Sequence, residues 1–196
     1  MLKESLTKYF ISEARLGSYT GVEEYGQNLV FSKKSYIPLS ILEVALRNAV
    51  DKLLSDKVGV DWYKDENFLT DDSTKKVNGA ITYLKKRREA VTKEKIIAEL
   101  TFGFWVNLFK KPYDKKLRIN DLKTIFLNLP SREEKIVNRE VLYKQLNHIR
   151  NFRNRVFHYE KVLNKDGYNQ INEDILEVLN FLHVDLKEYV KRLNNE

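Results

Sequence analysis

The run Asn151-Phe152-Arg153-Asn154-Arg155-Val156-Phe157-His158-Tyr159-Glu160 places an arginine five residues ahead of a histidine. Arginine stays charged and forks onto phosphate oxygens. Histidine is the side chain best poised to move protons near neutral pH. The chain has only 3 histidines, so this one is the first candidate for acid–base chemistry. The others, His148 at the edge of an apolar stripe and His183 in the last helix, read as ordinary packing or interface histidines.

A helical wheel sorts the run into two faces. Leu142, Leu146, Ile149 and Val156 share one side, and Asn147, Asn151, Asn154 and His158 share the other, at steps of four, three and four. Amides both donate and accept, which suits contact with bases or riboses; a plain polar stripe facing water or a partner helix fits the wheel as well. Arg153 falls on the apolar side, about 40° from Ile149. An arginine there needs a carboxylate, and two are available. Glu43 lies between Leu39 and Leu46 on one apolar stripe, and Glu99 lies on another apolar segment. On a straight helix Arg153 and His158 point about 140° apart. They meet only through a bend, through the reach of the arginine stem, or across a two-fold axis. A buried salt-bridge anchor and a phosphate-contacting group are both open readings of Arg153.

The elements that must position these residues all read as helices. Seven glycines and three prolines are few for 196 residues, which favours long helices over a turn-rich β fold. The pattern predicts a first helix over about 3–16 and a short one over 22–32. A third starts at Pro38, where a first turn tolerates proline, and carries Leu39, Leu42, Leu46, Val50, Leu53 and Leu54. Residues 56–70 read as a loop. A helix capped by Asp71, Asp72 or Ser73 runs to about Arg88. Thr92 opens a helix that is apolar nearly all round as far as Phe109, the mark of a central element; in it Gly103 would admit a close neighbour. A short helix covers 121–128. A Ser131/Glu134 capping box opens one that extends to about Tyr159, and the last covers about 171–193. The expectation is a single all-α domain over 1–196, a bundle of six or seven helices with residues 1–35 as an N-terminal helical appendage.

Composition narrows the function classes. An apolar fraction of 42% supports a sizeable core. With no cysteine, disulfides and thiolate metal sites are excluded, and three scattered histidines argue against zinc. No window is apolar enough to span a bilayer, and the N-terminal residues lack the apolar core of a signal peptide, so a cytoplasmic protein is expected. The net charge is +7 and unevenly placed. Residues 75–118 hold thirteen basic residues against four acidic ones. That stretch, with Lys85, Lys86, Arg87, Arg88, Lys115 and Lys116, is a candidate polyanion surface; a solvated helix face is the plainer reading. Tyr83, Tyr113 and Phe109 lie near enough in sequence to stack on bases, although Phe109 fits a core position.

Three ordered blocks carry a family likeness. Phe152-Arg153-Asn154-Arg155-Val156-Phe157-His158-Tyr159-Glu160 resembles the Arg-Asn-Arg-x-x-His-x-Glu signature of the Abi-like (abortive infection) proteins, a branch of the HEPN superfamily. Leu42-Glu43-Val44-Ala45-Leu46-Arg47-Asn48-Ala49 and Glu99-Leu100-Thr101-Phe102-Gly103-Phe104-Trp105 look like two further blocks of that family. Tyr159 stands where many members carry a second histidine. The resemblance implies an all-α HEPN domain that cleaves RNA without a metal or other cofactor, as a homodimer whose Arg/His motifs meet at the interface. It implies a toxin or antiphage effector, with an RNA or protein antitoxin as a possible partner. By the same resemblance Arg153, Asn154 and His158 are catalytic, and Glu43, Arg47, Asn48, Glu99, Asn151 and Tyr159 support or orient them. Asn147 would join the basic residues in binding RNA. The competing expectation is a catalytically silent module that binds RNA or protein, as some HEPN-like domains do.

Overall fold

The computed structural model describes residues 4–195; the expected helix start at Lys3 lies outside them. Among the described residues there are ten α-helices, two single 3₁₀ turns and no strand. The helices are α1 (Glu4–Ile11), α2 (Glu13–Leu16), α3 (Val22–Lys57), α4 (Asp71–Lys86), α5 (Lys93–Glu99), α6 (Phe102–Asn107), α7 (Ile119–Ile125), α8 (Arg139–Phe157), α9 (Ile171–Leu182) and α10 (Val184–Asn195). The all-helical expectation holds, and the count of six or seven is corrected to ten because several expected helices are broken.

The central element is α3. It runs uninterrupted across residue 35 and through Pro38, where a short helix and a fresh start were expected. Proline has no N–H to give the carbonyl four residues back, which is that of Lys34. The Asn194 side-chain amide, on α10, donates to that carbonyl at 3.1 Å, so the gap is filled from across the fold. α3 packs against α6, α7, α9 and α10, while α8 packs against α6 and α9.

The other breaks have local causes. The expected helix from Thr92 to Phe109 divides at Leu100 and Thr101, whose backbones are extended. The Trp105 indole N–H donates to the carbonyl of Leu100 at 3.3 Å. The Ser131/Glu134 capping box forms but closes a single turn, and α8 starts only at Arg139, capped by the Asn138 side chain. The last expected helix splits at His183, which is extended, and its Nδ1 accepts from the Asp185 N–H at 3.1 Å. His183 is thus a capping residue. Thr70 and Thr92 cap α4 and α5 in the same way, which satisfies N–H groups a helix start leaves open.

One core runs through the bundle. Leu42, Leu46, Val50 and Leu54 of α3 meet Leu142, Leu146, Ile149 and Phe152 of α8 and Ile171, Ile175, Val178 and Leu179 of α9, each essentially without solvent contact. Burying a side chain of this size contributes roughly 1.5–3 kcal/mol. The aromatic centre is Trp62, with ring contacts to Phe104 at 6.3 Å and Trp105 at 5.9 Å. α6 and α9 each pack against both α3 and α8, and the candidate site lies where Glu43 and Tyr36 of α3 meet Arg153 and Phe157 of α8. No helix among the described residues is long and apolar enough to cross a membrane.

Candidate active site around Arg153 and His158

α8 ends one residue before His158, and its end is built by backbone bonds. The His158 N–H donates to the Asn154 carbonyl at 3.0 Å, Tyr159 to Val156 at 3.1 Å and Glu160 to Arg155 at 2.9 Å. This is the Schellman pattern, which needs a left-handed residue at the turn. Tyr159 fills that position with φ 58, where glycine is the usual choice. Arg15 donates to the carbonyl of Tyr159 and braces the turn from α2. The chain beyond it is held by Asn28, which is fully buried in α3. Its Oδ1 accepts from Val162 N–H at 2.8 Å and Leu163 N–H at 2.9 Å, and its Nδ2 donates to the Glu160 carbonyl at 3.3 Å.

Arg153 lies one turn earlier. Its Nε donates to Glu43 Oε2 at 3.3 Å, and the two side chains are 27% and 23% exposed. Of the two open carboxylates it is therefore Glu43 that meets Arg153. Glu99 is taken by Arg87 at 3.2 Å. The Arg153 guanidinium lies 4.4 Å from the centre of the Phe157 ring, a cation–π contact. Phe157 in turn meets Tyr36 of α3 at 5.9 Å. The guanidinium is thus gripped on two sides yet reachable from solvent.

No hydrogen bond or ion pair joins Arg153 to His158 among the described residues. His158 is exposed and its ring has no partner there. Asn151 and Asn154 are exposed on the same side, and Asn151 accepts from Arg150 at 3.2 Å. Asn147 is deeper, and its Oδ1 is buried without a protein partner, as are Asn107 Oδ1 and Arg150 Nε. The asparagine stripe therefore faces solvent toward its C-terminal end and is half-buried toward its start. Gly103 lies beneath Arg150, whose Cδ would be 3.4 Å from an added Cβ. Arg47 and Asn48 lie about one turn beyond Glu43 on α3, Arg47 half-buried and Asn48 exposed; neither touches Arg153. His148 bonds the Gly167 carbonyl at 2.8 Å and stacks near Tyr168, a structural role.

The basic segment does not form one surface. Asp114 pairs with Arg139 at 2.7 Å, which puts Lys115 and Lys116 by the first residue of α8, roughly 28 Å of helix away from His158. Lys116 donates to the carbonyls of Asn67 and Phe68, each at 2.8 Å, so it is a clamp on the 62–70 loop. Lys85, Lys86, Arg87 and Arg88 are exposed at the end of α4, and the Arg87–Glu99 bond sets them near the start of α6. Tyr113 is buried with its hydroxyl on Ser73, and Phe109 is in the core. Of the three stacking candidates only Tyr83 is open, with Arg87 over its ring. Among the described residues no group of three or more His, Asp and Glu side chains is arranged to hold a metal ion.

Beside Arg153 runs an apolar ledge. Leu29, Tyr36 and Val44 of α3 and Phe157 and Tyr159 at the end of α8 are all exposed large apolar side chains, and a groove of about 510 Å³ lies between the two helices there. No protein-family model, curated protein or solved structure matches the chain.

Asn28 and Arg15 were missed by sequence reasoning. Asn28 carried a signal, since asparagine is a poor interior helix residue and this one lies inside a helical stretch. Arg15 carried none, because its partner is a backbone carbonyl 144 residues away.

Proposed function

We propose that the protein is a metal-independent endoribonuclease of the HEPN type, an Abi-like effector that acts as a toxin or in antiphage defence. The observation that carries this reading is the Arg153–Glu43 pair at 3.3 Å. A guanidinium held by a carboxylate, still a quarter exposed, and followed within two turns by a free histidine is what transfer at a phosphodiester needs. His158 takes the proton from a ribose 2′-OH, the 2′-oxygen attacks phosphorus, and the bond to the 5′-oxygen breaks. A protonated histidine returns the proton to that leaving oxygen, and the product is a 2′,3′-cyclic phosphate. Arg153 stabilises the charge that builds on the non-bridging oxygens, and Asn154 orients the ribose. DNA lacks the 2′-OH and is inert.

The exposed ledge of Tyr36, Val44 and Phe157 supports a homodimer formed on this face, which would set the Arg153 of one protomer near the His158 of the other. An antitoxin would then act by covering the same face or by separating the protomers. The test is cleavage of a mixed RNA pool by wild type and by His158→Ala, with folding checked by circular dichroism. Loss of cleavage by at least a hundredfold with the fold retained is expected; a wild-type rate in that variant sinks the reading.

One observation favours a second reading, a catalytically silent module that binds RNA or protein. Among the described residues of one chain no hydrogen bond or ion pair joins Arg153 to His158. That reading predicts salt-sensitive RNA binding with no cleaved product and no loss in His158→Ala.

A further inference from the structure

A basic pocket adjoins the turn that follows His158. It encloses about 480 Å³, and Arg15, Tyr19, Arg155, Glu160, Lys161 and Lys165 line it. Four of these are cations. Arg155 is paired with Glu160 at 2.6 Å and Lys161 with Glu24 at 2.7 Å. Lys165 has no side-chain partner among the described residues. Arg15 uses one of its N–H groups on the Tyr159 carbonyl, and its remaining side-chain donors have no hydrogen-bond acceptor among the described residues. The Tyr19 hydroxyl is buried with no hydrogen-bond partner among the described residues, in a residue only 9% exposed, with the Lys161 ammonium 5.1 Å from its ring centre. A buried hydroxyl left without a partner is destabilising, and a bound anion's oxygen would accept from it.

We propose that this pocket is a phosphate subsite that holds a neighbouring backbone phosphate of the RNA strand cut at His158. The inference rests on the ribonuclease reading for the identity of the strand. Its location argues for a subsite of that centre. Arg155 belongs to the same helix as Arg153, between it and His158, and Arg15 grips the residue that follows His158. A strand with its scissile phosphate against Arg153 and His158 has to continue past this turn, and the cavity there offers arginine forks and a free ammonium. Arginine is suited to the two-pronged grip on phosphate, and lysine adds a point charge.

The test uses a short RNA with 2′-O-methyl riboses, which binds but cannot be cut, and the full-length variants Arg15→Gln and Lys165→Gln, with Lys123→Gln as a surface control. Arg15→Gln also removes a brace on the turn, so Lys165→Gln, which breaks no contact, carries the decision if Arg15→Gln does not fold. The expected result is about tenfold weaker binding in the double variant, or about threefold in Lys165→Gln alone, with the slope of log K against log salt reduced by about 1 per charge removed. On cleavable RNA, Lys165→Gln raises KM and leaves kcat unchanged. Binding and salt slope equal to wild type, with cleavage intact, overturn the subsite and leave the nuclease standing. Dependence on Lys165 without any cleavage by wild type sinks the nuclease and keeps the phosphate pocket. Inorganic phosphate is the second probe: saturation of the pocket at millimolar phosphate, with RNA binding indifferent to both variants, would mean a free anion site and also overturn the proposal.

Discussion

Arg153 and Glu43 are separated by 110 residues in sequence and by 3.3 Å in space. The pair ties α8 to α3 at the level of the Phe157–Tyr36 contact, and it fixes which way the guanidinium faces. Both side chains keep about a quarter of their surface in water, so the pair's worth to stability is small, about 1 kcal/mol or less. Glu43→Gln therefore lowers the melting temperature by only a few degrees. If Arg153 contacts the phosphate, the same change lowers RNA cleavage by about tenfold or more. If the arginine is only an anchor, stability falls and cleavage does not. A thermal melt and a cleavage rate on one preparation separate the two.

Asn28 satisfies three backbone groups of the chain that follows His158 and is itself fully buried. Replacing it by alanine strands the buried Val162 N–H and the half-buried Leu163 N–H. Asn28→Ala is expected to destabilise the fold by about 2–3 kcal/mol, seen in a urea melt. Amide exchange at Val162 and Leu163 should accelerate more than exchange in α9. Equal acceleration across the molecule would mean that Asn28 supports the core generally and not this turn.

Tyr159 holds a left-handed backbone, with φ 58, that glycine adopts without strain. Its side chain is 67% exposed, so little packing is lost on removal. Tyr159→Gly should leave stability equal or raise it by up to about 1 kcal/mol. A loss of stability in the melt would show that the tyrosine ring contributes contacts that outweigh its backbone strain.

The Glu24 carboxyl is held down to about 2, first by the Lys161 ammonium and then by the Thr20 backbone N–H. Its folded-state value is below the unfolded one of 4.5. Its contribution is therefore complete above about pH 4.5 and lost as pH falls through about 2. A carbon-detected titration of Glu24 should show no inflection between pH 7 and pH 3. Lys161→Met should move the inflection up toward the usual carboxylate range; an unchanged inflection would assign the effect to Thr20 alone.

The elements were legible wherever an apolar stripe ran unbroken. The stripes of Leu39 to Leu54 and of Leu142 to Val156 are both core faces, and Glu43, an acid within one of them, does meet the arginine within the other. The failures share a cause. Asn138, His183 and the Leu100–Thr101 pair end or start helices inside stretches whose periodicity continues, because a side-chain cap or a single extended residue leaves the apolar spacing almost unchanged. Pro38 was read as a helix start by its local rule, and the compensating donor, Asn194, lies 160 residues from the Lys34 carbonyl it serves. The site divides along the same line. His158 in a polar stripe was readable from one helix, whereas the turn that ends α8, the hold of Asn28 and the brace of Arg15 depend on segments that meet only in the folded chain.

Pro38 also lies between two anchorages on a single helix. Asn28, on one side, fixes the chain after His158, and Glu43, on the other, fixes Arg153. The two are about 22 Å apart along the axis. α3 therefore works as a calliper set across the arginine and the turn that carries the histidine, with its jaws at Glu43 and Asn28 and its shaft braced by Asn194. Because both jaws belong to one continuous helix, the helix and not either side chain alone sets the spacing of the two candidates.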